Sequence, residues 1–247
     1  MTTERSNEAS YNNSAIVDYY SDFVSTGLFH YEELLIDKYF ASGGKTLDVG
    51  CGVGRATIPL FEKGYKVIGL DFAEKMIMAA KSLNRAIDYR VGDILSTRFD
   101  DQEFDNILFS FNGLMLLGTY EERLKAVKET CRILKPEGNF IFTTPYLDNK
   151  TLKSYWLEKA FSLDIDVQNM TWDQQLELGN EQLEDYGSDF FLHVPFISEV
   201  EKMLDEAGMK VLFLARRLDY SGIEEMEDEL DDNYLVADGR ASCRERV

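Results

Sequence analysis

An α/β fold around a mostly parallel sheet, with helices on both faces, is what this sequence predicts. Three observations carry the reading. Short apolar segments alternate with amphipathic ones from Lys45 to Thr144, the first of them runs into a glycine-rich turn, and the next two each end on an acid, Asp71 and Asp93. Parallel strands need long crossover connections, usually helices, and strands covered on both faces read as continuous apolar runs.

Residues 1 to about 14 are rich in Asn, Ser and Thr and are expected to be a mobile end. Apolar and aromatic residues at helical spacing then predict two helices between Ile16 and Phe40, broken around Ser25–Gly27. Lys45–Val49 reads as a strand, Arg55–Lys63 as a helix with Pro59 near its first turn, and Tyr65–Leu70 as the second strand. A helix at Ala73–Leu83, a strand at Ile87–Val91 and a fourth strand at Phe104–Phe109 follow. Tyr120–Leu134 is amphipathic, with Leu124, Val127, Cys131 and Leu134 on one face, and Lys135-Pro136-Glu137-Gly138 stops it before a fifth strand at Asn139–Thr144. Residues 145–195 contain no evident strand. A helix at Ser198–Ala207, capped by Ser198 and ended by Gly208, leads to strands at Lys210–Ala215 and Asn233–Ala237. The run Glu224–Asp232 reads as a solvated acidic loop or helix face, and the basic tail 239–247 is expected to be unstructured.

The chain of 247 residues carries 26 Lys and Arg against 45 Asp and Glu, a formal charge of -19. That balance disfavours nucleic acid as a partner, because phosphate backbones are bound by clustered Lys and Arg, and no such cluster stands out. Cys51, Cys131 and Cys243 are odd in number and far apart, so neither a disulfide framework nor a metal site is expected. With no signal-peptide pattern and no long apolar run, the expected location is cytoplasmic and no membrane span is expected.

The chemistry is concentrated in Thr46-Leu47-Asp48-Val49-Gly50-Cys51-Gly52-Val53-Gly54, a strand entering G-x-G-x-G at a helix start. Glycine is needed where the backbone turns sharply or a ligand touches the main chain, and the helix behind offers free N–H groups. The dinucleotide fingerprint is G-x-G-x-x-G. Here the third glycine comes one residue early, and Asp48 precedes the turn, where it would repel a pyrophosphate but suit an ammonium. Asp71 can accept ribose hydroxyls from the end of the second strand, and Asp93 can accept an adenine amino group from the end of the third. All three acids fall at strand carboxyl ends, where open α/β sheets bind ligands.

In these residues the chain resembles the class I S-adenosylmethionine-dependent methyltransferases. Phe104–Phe109 resembles the family's fourth strand signature, and Arg132-Ile133-Leu134-Lys135-Pro136-Glu137-Gly138-Asn139-Phe140 its turn into the fifth strand; only Glu137, where the family usually has a second glycine, departs. The resemblance covers about residues 40–145. It implies a Rossmann-like, doubly wound seven-stranded sheet with one antiparallel strand, N-terminal helices and an insert after the fifth strand. It implies S-adenosylmethionine as cofactor, with Gly50, Gly52 and Gly54 beneath it, Asp48 near its methionyl end, Asp71 on the ribose, Asp93 near the adenine, Phe72 and Ile94 flanking the ring, and Phe111 or Asn112 beside the sulfonium. Tyr19 and Tyr20 lie in the segment that in relatives often covers the cofactor. The implied organisation is a helical lid over 1–40, a methyltransferase domain over 41–238 with acceptor-binding residues in 145–195, and the tail.

Methyl transfer from a sulfonium is an in-line displacement that leaves a neutral group, so alignment matters more than acid–base chemistry. Tyr146, which follows the fifth strand, and His193 are the candidate catalytic residues, with His30 a weaker one. The insert's Tyr155, Trp156, Phe161, Trp172, Tyr186, Phe190 and Phe191 lie among acids, a composition that suits a small amine acceptor as well as an aromatic core.

Overall fold

A computed structural model describes residues 6–147, 152, 154–185, 188–216 and 233–239. In chain order the helices are α1 (Ser6–Tyr11), α2 (Ser14–Phe23), α3 (His30–Tyr39), α4 (Thr57–Glu62), α5 (Glu74–Leu83), α6 (Tyr120–Ile133), α7 (Ser154–Ser162), α8 (Trp172–Gly179) and α9 (Ile197–Glu206). The strands are β1 (Lys45–Val49), β2 (Lys66–Asp71), β3 (Asp88–Val91), β4 (Phe104–Phe109), β5 (Leu134–Pro145), β6 (Asn180–Asp185), β7 (Ser188–His193), β8 (Lys210–Arg216) and β9 (Asn233–Gly239).

Seven strands form one sheet in the order β3-β2-β1-β4-β5-β9-β8. The first five run parallel, and β9 is antiparallel to both of its neighbours, β5 and β8. Side chains alternate between two cores. Leu47, Val49, Ile107, Phe140 and Phe142 face one cluster, closed by Val127 of α6 and Met203 of α9. Leu108 and Ile141 face the other, closed by Leu35 of α3, Leu60 of α4 and Ile77 of α5. Period-two alternation with apolar residues on both faces is the signature of a sheet buried on both sides. Asn106, fully buried on β4, pins the segment before β1: its carboxamide exchanges hydrogen bonds with Ala41 N and O and donates to Thr46 Oγ1. Among the described residues no helix is long and apolar enough to cross a membrane.

The expected elements from β1 to β4 are present within a few residues, the helix after the glycine turn starting at Thr57 instead of Arg55, whereas β5 begins at Leu134 and takes in Lys135-Pro136-Glu137-Gly138, expected as a turn, through a shift in its register against β4. Three further expectations are corrected. Residues 6–13 are anchored: α1 packs on β7, and Asn13 caps α2 by accepting from Ala15 N. The insert contains the β6–β7 hairpin, paired from Asn180↔His193 to Asp185↔Ser188. β6 reads Asn-Glu-Gln-Leu-Glu-Asp, residue types depleted from strands, and the pairing with Phe190 and Phe191 overrides that propensity. Ser198 is not the cap of α9; that position is Phe196, without a side-chain bond. The acidic run 224–232 and residues 240–247 lie outside the described residues, while Gly239 ends β9.

Glu137, in the irregular stretch of β5 where its register against β4 shifts, takes φ 73°, the left-handed region that favours glycine. The conformation costs a non-glycine residue roughly 1–2 kcal/mol, against roughly 0.5–1 kcal/mol of extra chain entropy for glycine. Glu137→Gly is therefore expected to stabilise the chain by up to about 1 kcal/mol. Urea unfolding checks this: the midpoint rises, and a lowered midpoint contradicts the turn's geometry.

Candidate functional site

The carboxyl ends of β1 to β4 open into a cleft of about 200 Å³. The strand order reverses between β1 and β4, which makes this the topological switch point where doubly wound sheets bind ligands. The floor is Val49 and Gly50 with Leu70, one side is Asp71, Phe72, Asp93 and Ile94, and the other is Ser110 and Phe111. Tyr20 and α1 residues Asn7, Glu8 and Tyr11 form the roof. The wall is completed by Leu116–Gly118 and Glu122. A smaller cavity of about 50 Å³ continues past Tyr20, Gly50 and Gly52 to Asp48 and Arg55.

The turn after β1 is left-handed at Gly50 (φ 63°), Gly52 (53°) and Gly54 (100°). Their uses differ. A Cβ at Gly52 would meet nothing within 4 Å and project into open space, so this position needs glycine for its φ and leaves room beside the backbone. A Cβ at Gly54 would lie 2.4 Å from the hydroxyl of Tyr89 on β3, and Gly54 lines neither cavity. The third glycine therefore permits close packing of the start of α4, and it does not lie beneath the cleft as the sequence suggested.

Asp71 holds the turn in place. Its Oδ2 accepts from Gly52 N at 2.8 Å, its Oδ1 from Ala73 N at 2.8 Å, and its own carbonyl accepts from Gly92 N at 2.9 Å. Burial pushes its pKa up to about 6, opposed by the two N–H donors. Asp93 accepts from Leu95 N through Oδ1. Asp48, also buried, is pushed up to about 7 by burial, opposed by the 2.5 Å bond from Thr57 Oγ1. It faces α4 and the smaller cavity, set back from the main cleft.

Ser110, Phe111 and Asn112 leave β4 under strain, with φ 55° at Phe111 and 63° at Asn112. Such paired outliers in non-glycine residues persist only where the surroundings fix them, and they cluster at functional sites. Asn112 N donates to Thr143 Oγ1, and its buried Oδ1 has no hydrogen-bond partner among the described residues. Phe111 is stacked on Phe29 at 6.0 Å, and the guanidinium of Arg55 lies over both rings. Arg55 is itself locked by two bonds to the fully buried Glu32, one to Gly27 O and one to Ser110 Oγ. This pair ties α3 to the glycine turn and to the strained strap. Sequence reading missed it, since Arg55 and Glu32 match no motif.

Of the remaining candidates, Tyr20 lines both cavities, whereas Tyr19 is 40% exposed, packs on Tyr20 and Phe23, and lines neither. Asn112 also lines neither. Tyr146 is half-buried beyond β5 and does not reach the cleft, and His30 is exposed at the start of α3. His193 is fully buried, with Nδ1 2.9 Å from Asn180 Oδ1 and Nε2 2.8 Å from Glu199 Oε2; burial lowers its pKa. Both ring nitrogens are engaged, away from the cleft, so His193 braces the hairpin against α9 and is not positioned as a base. Glu199 continues to the buried Arg123, which donates to Leu117 O on the cleft wall.

No described residue of 145–195 lines the cleft. The insert's aromatic residues are dispersed: Trp172 packs edge-on to Tyr120, Phe190 packs on Tyr11, and Phe161 is 89% exposed. Tyr186 lies outside the described residues. An amine cage built from the insert is therefore not assembled among the described residues. Among them no group of His, Cys, Asp and Glu could hold a metal ion.

Residues 47–142 match the family model described as a methyltransferase domain. A putative methyltransferase, YqeM, of Bacillus subtilis is 32% identical over 110 residues, covering 43% of this chain and 44% of that protein. A demethylmenaquinone methyltransferase of Renibacterium salmoninarum is 32% identical over 126 residues, covering 50% of this chain and 52% of that protein. The chain thus spans about half the length of these curated relatives. Among solved structures, an S-adenosylmethionine-dependent methyltransferase from Methanosarcina mazei superposes with a TM-score of 0.68 at 20% identity, covering 87% of this chain and 98% of that one. One from Clostridium acetobutylicum gives 0.62 at 13% identity, covering 92% and 98%.

Removing one partner of a buried ion pair strands the other charge, at a cost of about 3–5 kcal/mol. Arg55→Leu is expected to destabilise the chain by that amount in denaturant unfolding. A loss below about 1 kcal/mol, the range of a surface pair, would contradict the buried clamp.

Proposed function

We propose that this chain, whose residues 47–142 match a methyltransferase domain, is a class I S-adenosylmethionine-dependent methyltransferase that binds S-adenosylmethionine in the cleft and transfers its methyl group to a small-molecule acceptor. The observation that carries the reading is Asp71. A carboxylate offers about four lone-pair sites, and two are taken by Gly52 and Ala73. The rest belong to a buried carboxylate on the cleft wall, suited to adjacent ribose hydroxyls. The other fittings agree. Asp93 keeps Oδ2 for an adenine amino group, Phe72 and Ile94 supply apolar faces for the ring, and the space beside Gly52 admits the methionyl end near Asp48.

When bound, the cofactor supplies an electrophilic methyl group on a cationic sulfur. Displacement leaves a neutral thioether, so no side chain has to protonate a leaving group. What this chain contributes is position and exclusion of water. Phe111, fixed by Phe29 and Arg55, walls the reacting end, and Tyr11 and Tyr20 close the roof. Burial holds the Tyr11 phenol well above its ordinary pKa, so at neutral pH it stays a hydroxyl.

Among the described residues the main cleft is lined by Glu8, Asp71, Asp93 and Glu122 and by no Lys or Arg, Arg55 standing at the smaller cavity beyond, paired with Glu32. That field disfavours carboxylate or phosphate acceptors and nucleic acid, and favours an uncharged or cationic small molecule, an amine among them. The alternative of a protein or RNA substrate would call for a basic groove.

Calorimetry with S-adenosylhomocysteine tests the premise; no binding at high micromolar concentration overturns it. Asp71→Ala is expected to weaken binding by about 1.5–3 kcal/mol, the range for hydrogen bonds to a charged group. Apart from any change near pH 7, where Asp48 titrates, the wild-type affinity should fall as pH drops through about 6, where Asp71 takes up a proton. Asp71→Asn should bind weakly and lack that fall; a fall retained in Asp71→Asn assigns it elsewhere. Turnover with labelled cofactor across amines, phenols and demethylmenaquinone then identifies the acceptor, and turnover confined to anionic acceptors would contradict the field of the cleft.

A further inference from the structure

Asn7 makes the largest set of side-chain hydrogen bonds between α1 and the rest of the fold. Asn7 of α1 is 8% exposed and lines the cleft. Its Nδ2 donates to Leu116 O and to Phe191 O, both at 2.9 Å, and its Oδ1 accepts from Phe191 N at 2.8 Å. The carboxamide thus pairs with Phe191 as another strand's peptide group would, on the edge of β7 turned away from β6. The next steps follow the same edge. Ser10 Oγ donates to Asp189 O, and Asn13 Nδ2 donates to Ser188 Oγ. Residues 7, 10 and 13 therefore descend β7 at helical spacing and cover an edge that would otherwise be open.

One turn beyond Asn7, Tyr11 sits over the cleft against Phe72 (5.9 Å), Phe190 (5.2 Å) and Tyr20 (6.0 Å). With this roof in place the cleft is about 200 Å³, and a ligand held in it lies beneath α1. α1 has six residues, too few to be stable in isolation, so its placement depends on these side-chain bonds and on the Tyr11 ring contacts.

We infer that Asn7 is a positioning residue: it latches α1 across the β6–β7 hairpin and the Leu116 wall, and the cofactor exchanges when this latch opens. The inference rests on the cofactor reading above. It also gives the insert hairpin a task, to present the edge on which the lid closes.

The test is the dissociation rate of S-adenosylhomocysteine by stopped-flow displacement from the full chain. Asn7→Asp keeps an acceptor for Phe191 N–H but faces two carbonyls without a donor, and Asn7→Ala removes all three bonds. Both should release the ligand about tenfold faster or more, as loss of hydrogen bonds of ordinary net strength requires. KM for the cofactor should rise more than kcat falls. Ser10→Ala, losing one bond, should show a smaller increase. A second measurement needs no variant: the Phe191 amide of the wild-type chain should exchange hydrogen more slowly when saturated with S-adenosylhomocysteine. Unchanged release in both Asn7 variants, or unchanged Phe191 exchange, overturns the latch. Failure of the wild-type chain to bind S-adenosylhomocysteine at all overturns the cofactor reading and the latch with it.

Discussion

One residue joins the three strand ends on which the site is built. The carboxylate of Asp71 holds the β1 turn through Gly52 N–H and the start of α5 through Ala73 N–H, and its carbonyl holds the end of β3 through Gly92 N–H. A buried carboxylate is costly, as its raised pKa records. It is tolerated because each carboxylate oxygen meets an oriented N–H. The left-handed glycines at 50 and 52, the open space beside Gly52 and the strand reversal between β1 and β4 all place main chain around that group.

The opposite wall is organised by a different force. Phe111 and Asn112 occupy backbone conformations that a free chain would leave, and the stack of Phe29, Phe111 and the Arg55 guanidinium fixes them. Glu32 makes that possible by satisfying Arg55 in a fully buried place. The N-terminal helices are thus structural partners of the sheet as well as a roof. α3 contributes through charge and aromatic packing, and α1 contributes through a carboxamide that mimics a peptide bond.

What the sequence made legible, and what it did not, divides along physical lines. β1 to β5 and their helices announce themselves because apolar period, glycine and strand-end acids all act locally, and the same signals pick out Asp71, Asp93, Gly50, Phe72 and Ile94, which line the cleft. The misses depend on contacts distant in sequence. Asn7 looks like a residue of a polar tail until β7 supplies its partners more than a hundred positions away. β6 looks like a loop until Phe190 and Phe191 pair with it. Arg55 and Glu32 look like surface charges until they meet. His193 and Tyr146 were read for their chemistry, and burial between Asn180 and Glu199 assigns His193 a different task. Gly54 was read as a ligand contact, and the ring of Tyr89 shows it to be a packing contact.

The central claim is that Asp71 is both the keystone of the three loops and the ribose acceptor. A crystal structure of the chain grown with S-adenosylhomocysteine tests it most directly. The account predicts the ribose hydroxyls on the Asp71 carboxylate while Gly52 N–H and Ala73 N–H stay bound to it, with the adenine between Phe72 and Ile94. Ribose density held by other residues, with Asp71 satisfied by Gly52 and Ala73 alone, would contradict it.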